Sequence, residues 1–358
     1  HLRSVRTVHA LLLPLVLMAA SACSREPRPR APRRRESTPA VGVGEYPQWL
    51  GRYYQERQWR DRPADRRLER ETLQKSLLLG RLFLLANQRP AGNFNYEYDF
   101  VAREQSTQDN QVRQAGALWG VALIHQHSHD HASRRAVDRG LDFFFEHTRP
   151  GPAEGSLLIA YPGARQCKNG IVALVALSIV ELLRTADAGH TRLTPARRRE
   201  LEAKLDGYLV YLTALQLDNK HFADTCDLGR NELSSSFNPY VDGEVLLCLI
   251  KAARYAGREH LRPFVEATAM TLARDYTAVA WEHEKDSNAT KGFFQWSCMA
   301  FWEYYDAGWE NAVVFGDYVL SLAWWMVDTH RTLARTGERA YAYEGIIRAV
   351  LVARECND

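Results

Sequence analysis

Carboxylates stand directly before or at the start of strongly apolar segments of the sequence. Asp109 precedes one such segment, Asp242 and Glu244 open another, and Glu97 lies in an aromatic loop. Glycosidic cleavage needs two carboxyl groups, ~5 Å apart in retaining enzymes and ~6.5–9.5 Å apart in inverting ones. We therefore predict these four residues as the catalytic acids, although a sequence gives no distance between them.

Polar and aromatic side chains accompany these acids and form the predicted binding set. Asn110 and Arg113 are three residues apart, so on a helix they share one face. Arg113 is a bidentate donor suited to polar ligands, and aromatic rings can stack on the flat face of a sugar. The predicted substrate-binding residues are Asn110, Arg113, Tyr96, Tyr240 and Trp296.

Each of these residues also has a purely structural interpretation, which the sequence leaves open. Asp109 is a possible helix cap with Arg113 as its ion-pair partner, and Asp242 and Glu244 would complement a helix dipole in its first turn. An unpartnered carboxylate such as Glu244 is costly in an apolar helix, so it needs a partner or a cavity. Lesser candidates are Glu303 and the adjacent pair Tyr343 and Glu344.

No cofactor and no metal site are expected. The alternating histidines of residues 125–131 fall where one helix ends and the next begins, which favours a solvated turn over metal binding. No CxxC pair, HExxH, P-loop, nucleophile elbow or dinucleotide-binding glycine pattern occurs. Cys248 and Cys298 lie in apolar stretches as expected of buried thiols, whereas Cys167 and Cys226 lie near loops where an oxidising compartment would allow a disulfide.

The elements that must position these residues are helices. Apolar residues recur with helical period, and strand-like alternation is scarce, with residues 157–161 the one short apolar run expected as a strand. Thr194 and Pro195 are typical of a helix start. Strongly apolar helices are predicted near residues 71–87, 111–126, 170–183, 241–255, 292–305 and 343–352. Amphipathic helices are predicted between them at residues 132–145, 195–217, 259–276 and 311–333.

This repetition predicts an all-α fold in which helical hairpins form a ring. Repeated helix–loop–helix units indicate a stacked or circular array, and six apolar helices predict an (α/α)6 toroid with apolar helices inside. The last apolar helix ends close to Asp358 with no partner after it. Either residues 45–60 close the ring from the other end, or the toroid is truncated at its C-terminus.

Several loop-to-helix junctions resemble those of six-hairpin toroids, the proteins that include many glycoside hydrolases and sugar epimerases. The resemblance covers most of residues 65–355 as a pattern and is weak in exact motifs. It implies a carbohydrate-active protein whose polar residues line one mouth of the ring, but a fold analogy alone does not establish function. The junctions are NFNYEY at 93–98, DNQVRQAG at 109–116, KNG at 168–170 and YVDGE at 240–244.

The N-terminal segments indicate export. Residues 1–23 have a basic start, an apolar stretch and Ala-Ser-Ala before Cys23, which resembles a lipoprotein signal peptide with Cys23 as the lipid attachment site. Residues 24–44 hold six Arg and four Pro and are expected to form a disordered tether, with the toroid domain at 45–358. The resemblance implies anchoring in the cell envelope through the lipid, at the outer rather than the inner membrane because Ser24 follows the cysteine.

Taken with the small net charge of +3, these features argue against a nucleic-acid partner. The expected protein is an envelope-anchored, carbohydrate-active toroid that hydrolyses or modifies a polysaccharide or oligosaccharide with paired carboxylates. The alternative is a non-catalytic lipoprotein that binds glycan or protein in envelope assembly. Whether the protein is an enzyme stays open at this point.

Overall fold

The computed structural model describes residues 69–99, 101–335 and 339–356. The chain divides into two units, a smaller one that ends at Ser76 and a larger one that begins at Leu77. Of the smaller unit only residues 69–76 are described, within the first turns of a helix. The predicted signal peptide, Cys23, the tether and the helix at residues 45–60 lie outside the described residues.

Helices dominate the larger unit, as the sequence predicted. Five of them pack in chain order, each against the next, and outer helices separate them in the sequence. Most residues of the first four are buried. The inner helices are α2 (Gln111–Ser128), α4 (Gly170–Asp187), α6 (Pro239–Tyr255), α9 (Asn288–Asp306) and α11 (Arg339–Cys356). The outer helices are α3 (His131–Glu146), α5 (Pro195–Ala214), α7 (Arg262–Arg274), the short α8 (Ala280–His283) and α10 (Ala312–Trp324).

Sequence explains why inner and outer helices differ. Helix α4 is apolar on nearly every side because inner neighbours and an outer helix surround it. Outer helix α5 begins as predicted, with Thr194 capping the amide of Arg197 at 3.2 Å and Pro195 in the first turn. The predicted helices from residue 111 onward are confirmed, except that the α-helix predicted at residues 311–333 ends at Trp324.

The helix predicted from residue 71 differs from the other inner helices. It is present as α1 (Arg70–Asn87), yet Leu78, Leu79, Leu82 and Phe83 on it are about half exposed. Its polar side chains reach outer helix α3 instead: Arg81 pairs with Asp130, and the Gln88 amide donates to the carbonyl of Ala136 at 2.8 Å. Leucines at helical spacing predict that a helix has an apolar face, but they do not predict which element covers that face. For this reason the sequence wrongly placed this helix among the buried inner ones.

Short strands occupy the loops that precede inner helices. Only the strand at Leu157–Ile159 was expected from the sequence. The others were missed because strands of two or three residues are too short to show an alternation of apolar and polar residues. They form hairpin β1–β2, hairpin β3–β4 and a sheet in the order β5-β6-β7. Their bounds are β1 (Tyr98–Asp99), β2 (Glu104–Gln105), β3 (Thr148–Pro150), β4 (Leu157–Ile159), β5 (Gln166–Lys168), β6 (Thr225–Asp227) and β7 (Glu232–Leu233).

Two outer helices end in π-helical turns. Helix α7 continues into the π-turn Asp275–Val279, and α10 continues into Trp325–Thr329. Such turns are rare, and they often re-aim side chains at functional sites. Both π-turns contact the start of α9: Thr290 donates to the carbonyl of Tyr276 at 2.7 Å, and the indole of Trp325 donates to the carbonyl of Lys285 at 2.6 Å.

Candidate functional site

The starts of the inner helices define one mouth of the bundle. Asn110, Asn238 and Ser287 each precede an inner helix, and each side chain accepts a backbone N–H of the first turn. Asn110 accepts from Arg113 N at 3.2 Å, so one predicted binding residue is a helix cap. The caps hold the helix starts in place and leave their positive dipole ends at the mouth.

Four predicted residues come together at the start of α2. The exposed Asp109 accepts hydrogen bonds from Asn110 N at 2.7 Å and from the Gln114 amide at 2.8 Å. Arg113 donates to the hydroxyl of Tyr96 and lies 5.3 Å from the centre of that ring. Arg113 therefore pairs with a phenol rather than with Asp109, which differs from the ion pair considered in the structural interpretation. Asp109 remains open to solvent at the rim of the mouth.

A buried phenol lies close to Asp109. The hydroxyl of Tyr161 is buried with no hydrogen-bond partner among the described residues. Burial, and then the nearby Asp109 carboxylate, raise the pKa of Tyr161. Glu97 lies apart from this group: its side chain is exposed beside β1, and its backbone carbonyl accepts from Ser106 N at 2.8 Å.

Asp242 is fully buried and holds three donors. It accepts from His221 Nδ1 at 2.6 Å, from Phe222 N at 2.7 Å and from the Tyr276 hydroxyl at 2.5 Å. His221 Nε2 lies 3.4 Å from a carboxylate oxygen of Asp275. The π-turn that ends α7 supplies both Asp275 and Tyr276. Despite the cost of burying the ring, the Asp242 and Asp275 carboxylates raise the pKa of His221.

The chain contains an internal comparison for this cluster. In an earlier loop Phe94 N donates to the Gln114 side chain at 2.6 Å, as Phe222 N donates to Asp242, and 20 residues separate the partners in both cases. A glutamine therefore suffices to hold such a loop against an inner helix. Gln114 also makes three side-chain hydrogen bonds, the other two to the carbonyl of Phe94 and to Asp109, whereas the other two at Asp242 come from the side chains of His221 and Tyr276.

Glu244 points to a different neighbour from Asp242, although only one residue separates them. Its carboxyl group lies against Gly170, the first residue of α4, where a methyl group would overlap Oε2. Among the described residues, none donates a hydrogen bond to this carboxyl group or forms an ion pair with it. Burial raises the pKa of Glu244 from 4.5 to about 8, so the group is mostly protonated at neutral pH.

Two tryptophans meet inside the bundle. The rings of Trp119 on α2 and Trp296 on α9 have centroids 5.7 Å apart, although α2 and α9 are not successive inner helices. The backbone of Gly243 packs on Trp296, so this aromatic pair lies beside the turn that carries Glu244. Trp296, predicted to bind substrate, is thus an almost completely buried ring rather than part of the rim.

A second buried carboxyl group lies on the far side of α9. Glu344 on α11 accepts a hydrogen bond from the Gln295 amide, and burial keeps the pKa of Glu344 well above its usual value. Burial, and then the neighbouring Tyr240, Glu344 and Glu244, raise the pKa of the Tyr341 phenol. The exposed Tyr240 ring, also predicted to bind substrate, lies 6.2 Å from the Tyr341 ring at the mouth.

Charged residues fill the bundle deeper along the same helices. Lys251 Nζ lies 2.5 Å from Glu181 and 3.3 Å from Glu303, and Arg254 pairs with Glu303 at 2.7 Å and with Asp306. Opposite charges face one another in this network, although both carboxylate oxygens of Glu181 have no hydrogen-bond partner among the described residues. Glu303, a lesser candidate from sequence, is therefore part of an ion-pair network, and the arginines and lysine around it hold its pKa well below the usual value.

The predicted carboxylates do not form one cluster. Asp109 lies at the rim, Glu97 on an exposed hairpin, Asp242 in a saturated hydrogen-bond cluster, and Glu244 in the interior. Sequence reasoning missed the partners that other elements bring to the candidate acids and to Trp296; the equal spacing of the two loop anchors was the one readable signal. The missed residues are Trp119, Tyr161, His221, Tyr276, Gln295 and Tyr341.

Histidines and cysteines have structural environments. Across residues 69–99, 101–335 and 339–356, no group of three or more His, Cys, Asp or Glu side chains is arranged to hold a metal ion. His129 stacks on His190 at 3.9 Å. Cys167 and Cys226 are buried free thiols directly opposite each other on β5 and β6. In the same described part, no helix is both long and apolar enough to cross a membrane.

Comparison with known proteins bears on the fold. No family model matches the chain, and no curated protein matches it. Among solved structures it is similar to a family 76 glycoside hydrolase from a bovine Bacteroides thetaiotaomicron strain, with a TM-score of 0.57 and 10% sequence identity. The match covers 97% of this chain and 68% of that one. The chain therefore has the all-α toroid fold that its sequence predicted, of the (α/α)6 type.

Proposed function

We propose that this protein is a carbohydrate-active toroid that hydrolyses or modifies a polysaccharide or oligosaccharide. The observation that carries the proposal is the Glu244 carboxyl group, which is buried beside paired tryptophans, protonated at neutral pH and free of a hydrogen-bond partner among the described residues. An acid held in its protonated form near pH 7 is what a general acid needs. The fold shared with a glycoside hydrolase is consistent with this assignment.

The chemistry follows from the contrast between two carboxyl groups. Glu244 would donate its proton to the glycosidic oxygen as the bond from that oxygen to the anomeric carbon breaks. The exposed Asp109 would accept a proton from the attacking water, whose oxygen forms the new bond to the anomeric carbon. Helix α4 alone stands between the helices that carry them. We assign Arg113, Tyr96, Asn110 and Tyr240 to the rim that receives the sugar chain.

Glu97 and Asp242 do not take part in the proton transfers of this proposal. Glu97, on its exposed hairpin, would contact more distant sugar units. Asp242 would act through His221 and Tyr276, fixing the start of α6 and with it the position of Glu244. Asp242 is therefore a positioning residue here rather than an acid that touches substrate.

A substitution at Gly170 tests the role of Glu244 without removing it. In Gly170→Ala the new methyl group meets the flexible end of Glu244, so the fold should persist while the carboxyl group moves. Gly116→Ala is the matched control, because a methyl group there meets no atom within 4 Å. The assay is release of reducing ends from a panel of envelope and plant polysaccharides, alongside the thermal shift on adding each glycan.

The outcomes separate the proposal from its rival. Loss of reducing-end release in Gly170→Ala and Glu244→Gln, with Gly116→Ala unchanged, supports a hydrolase that uses Glu244. Thermal shifts without release in the unsubstituted protein favour a glycan-binding protein or an epimerase. No response to any glycan contradicts carbohydrate activity and leaves the protein-binding alternative.

We further propose that the protein is anchored in the cell envelope through a lipid on Cys23, at the outer rather than the inner membrane. The support is the sequence of residues 1–44 alone. Expression in a bacterial host with an alkyne-tagged fatty acid tests it. Label should appear in the native protein and disappear in Cys23→Ala. Equal labelling of both would contradict lipid attachment at this cysteine.

A further inference from the structure

Two cysteines face each other across a pair of strands that belong to loops far apart in the chain. Cys167 on β5 is the direct partner of Cys226 on β6 in the antiparallel register. Two residues along each strand from this pair, Asn169 N donates to the carbonyl of Asp224 at 3.1 Å. Because hydrogen-bonded pairs recur at every second residue of an antiparallel ladder, Cys167 and Cys226 occupy such a pair.

This position brings the two α-carbons to the spacing of a disulfide. Residues opposite each other in a hydrogen-bonded pair have α-carbons about 5.5 Å apart, and their side chains lie on the same face of the strands. Disulfides span roughly 4.4–6.8 Å between α-carbons. The hydroxyl of Tyr211 on α5 interacts with both thiols, so both sulfur atoms lie on the face that α5 covers. A bond between them therefore needs no change of strand register.

We propose that Cys167 and Cys226 form a disulfide when the chain folds in an oxidising medium, which makes this strand pair a site of covalent modification. The oxidant is a small disulfide such as oxidised glutathione. One cysteine thiolate attacks a glutathione sulfur and releases a glutathione thiolate, and the second cysteine thiolate then displaces the other glutathione from the mixed disulfide. The two cysteine thiols lose two protons and two electrons, and one glutathione disulfide is reduced to two thiols.

The bond has to form before the strands are covered. Both cysteines are 0% exposed in the folded protein, so glutathione reaches neither sulfur atom there. Burial raises the pKa of Cys167 to about 12 and also raises the pKa of Cys226, so very little of the attacking thiolate exists at neutral pH. The redox state of the medium during folding therefore decides whether the protein carries the bond, and the folded protein retains that state.

The disulfide joins the two loops that set the buried carboxyl groups. Strand β5 leads into α4, whose first residue, Gly170, packs against Glu244. Strand β6 follows Phe222, whose N–H donates to Asp242 at 2.7 Å. Closing a loop of about 60 residues also restricts the unfolded chain, so the bond stabilises the fold.

The experiment compares the full chain made under two redox conditions. Cell-free synthesis is buffered with glutathione, once mostly oxidised and once mostly reduced, and the remaining thiols are alkylated in denaturant before digestion with trypsin. Trypsin isolates Cys167 in the peptide 166–168 and Cys226 in the peptide 221–230. We expect the two peptides to be linked after oxidising synthesis and both to be alkylated after reducing synthesis.

Thermal melting of the same samples gives a second readout. The oxidised native protein should melt roughly 5–10 °C above the reduced one. This difference should vanish in Cys167→Ala and in Cys226→Ala. Cys298→Ala is the matched control, because it removes a buried free thiol from helix α9 rather than from the strands, and it should keep the difference. Each variant is compared with itself in two redox states, so a general loss of stability cancels.

Three results would overturn the inference. One is alkylation of both Cys167 and Cys226 after oxidising synthesis. Another is a link from either of them to Cys248 or Cys298, which would assign a different partner. The third is equal linkage when oxidised glutathione is added only after folding in the reducing reaction, which would contradict formation before burial. None of these results depends on activity toward a glycan.

Discussion

The buried histidine at the end of α2 predicts how the protein loses stability in acid. His125 is 1% exposed, its Nε2 has no partner among the described residues, and its Nδ1 lies 3.3 Å from the hydroxyl of Ser133. Burial, with the nearby Arg134, lowers the pKa of His125 from 6.5 to about 4, against an opposing contribution from Asp130. The folded protein therefore keeps this ring neutral where an unfolded chain would protonate it.

This difference in proton affinity determines how the free energy of unfolding changes with pH. Between pH 6.5 and about 4 the unfolded chain binds the extra proton, so the free energy of unfolding falls as the pH is lowered through that window. Each tenfold difference in proton affinity is worth ~1.4 kcal/mol, which gives a loss of about 3 kcal/mol from this residue. That is a large part of the stability of an ordinary domain.

Urea unfolding at pH 7.5, 6, 5 and 4 measures the effect, in the native protein and in His125→Gln. Carboxylates also titrate in this range, so the informative quantity is the difference between the two curves. We expect the variant to lose about 3 kcal/mol less than the native protein between the extremes of pH. His260→Gln, at an exposed histidine, is the control and should follow the native curve. Parallel curves for native protein and His125→Gln would refute the reasoning.

Other perturbations have equally specific outcomes. Because the pKa of His221 is raised, its contribution to stability is complete below pH 6.5 and is lost as the pH rises through the folded-state pKa, so the melting-temperature advantage of native protein over His221→Gln should shrink in alkali. Asp242→Ala should cost about 3–5 kcal/mol in urea unfolding because it leaves three buried donors without an acceptor. Gln114→Ala should cost less, about 2–3 kcal/mol, because one of its three hydrogen bonds reaches the exposed Asp109; a larger cost for Gln114→Ala would contradict the distinction between the two loop anchors. The free thiols of Cys167 and Cys226 should react with Ellman's reagent only after unfolding, and rapid labelling at neutral pH would contradict their burial.

The helical skeleton was predictable because its determinants are local. The apolar period, the helix cap Thr194 and the alternation of fully apolar with amphipathic segments all lie within one helix or its flanking loop. The cap of α2 was placed one residue too early, at Asp109 instead of Asn110. The same local signals wrongly predicted α1 to be a buried inner helix, whereas several of its leucines are about half exposed. They also missed six short strands, of which only β5 and β6 pair between loops distant in the chain.

The chemical character of the site was decided by tertiary structure. Asp242 and Glu244 are one residue apart and look alike in sequence, yet the π-turn brings Tyr276 to the first while the start of α4 presents only Gly170 to the second. One carboxylate is thereby saturated with hydrogen bonds and the other is left buried and protonated. Trp119 and Trp296 likewise meet only because helices distant in the chain converge. Sequence thus determined which residues stand at the helix starts, and the packing of remote elements determined what each of them can do, because burial and charged neighbours set a carboxyl group's pKa.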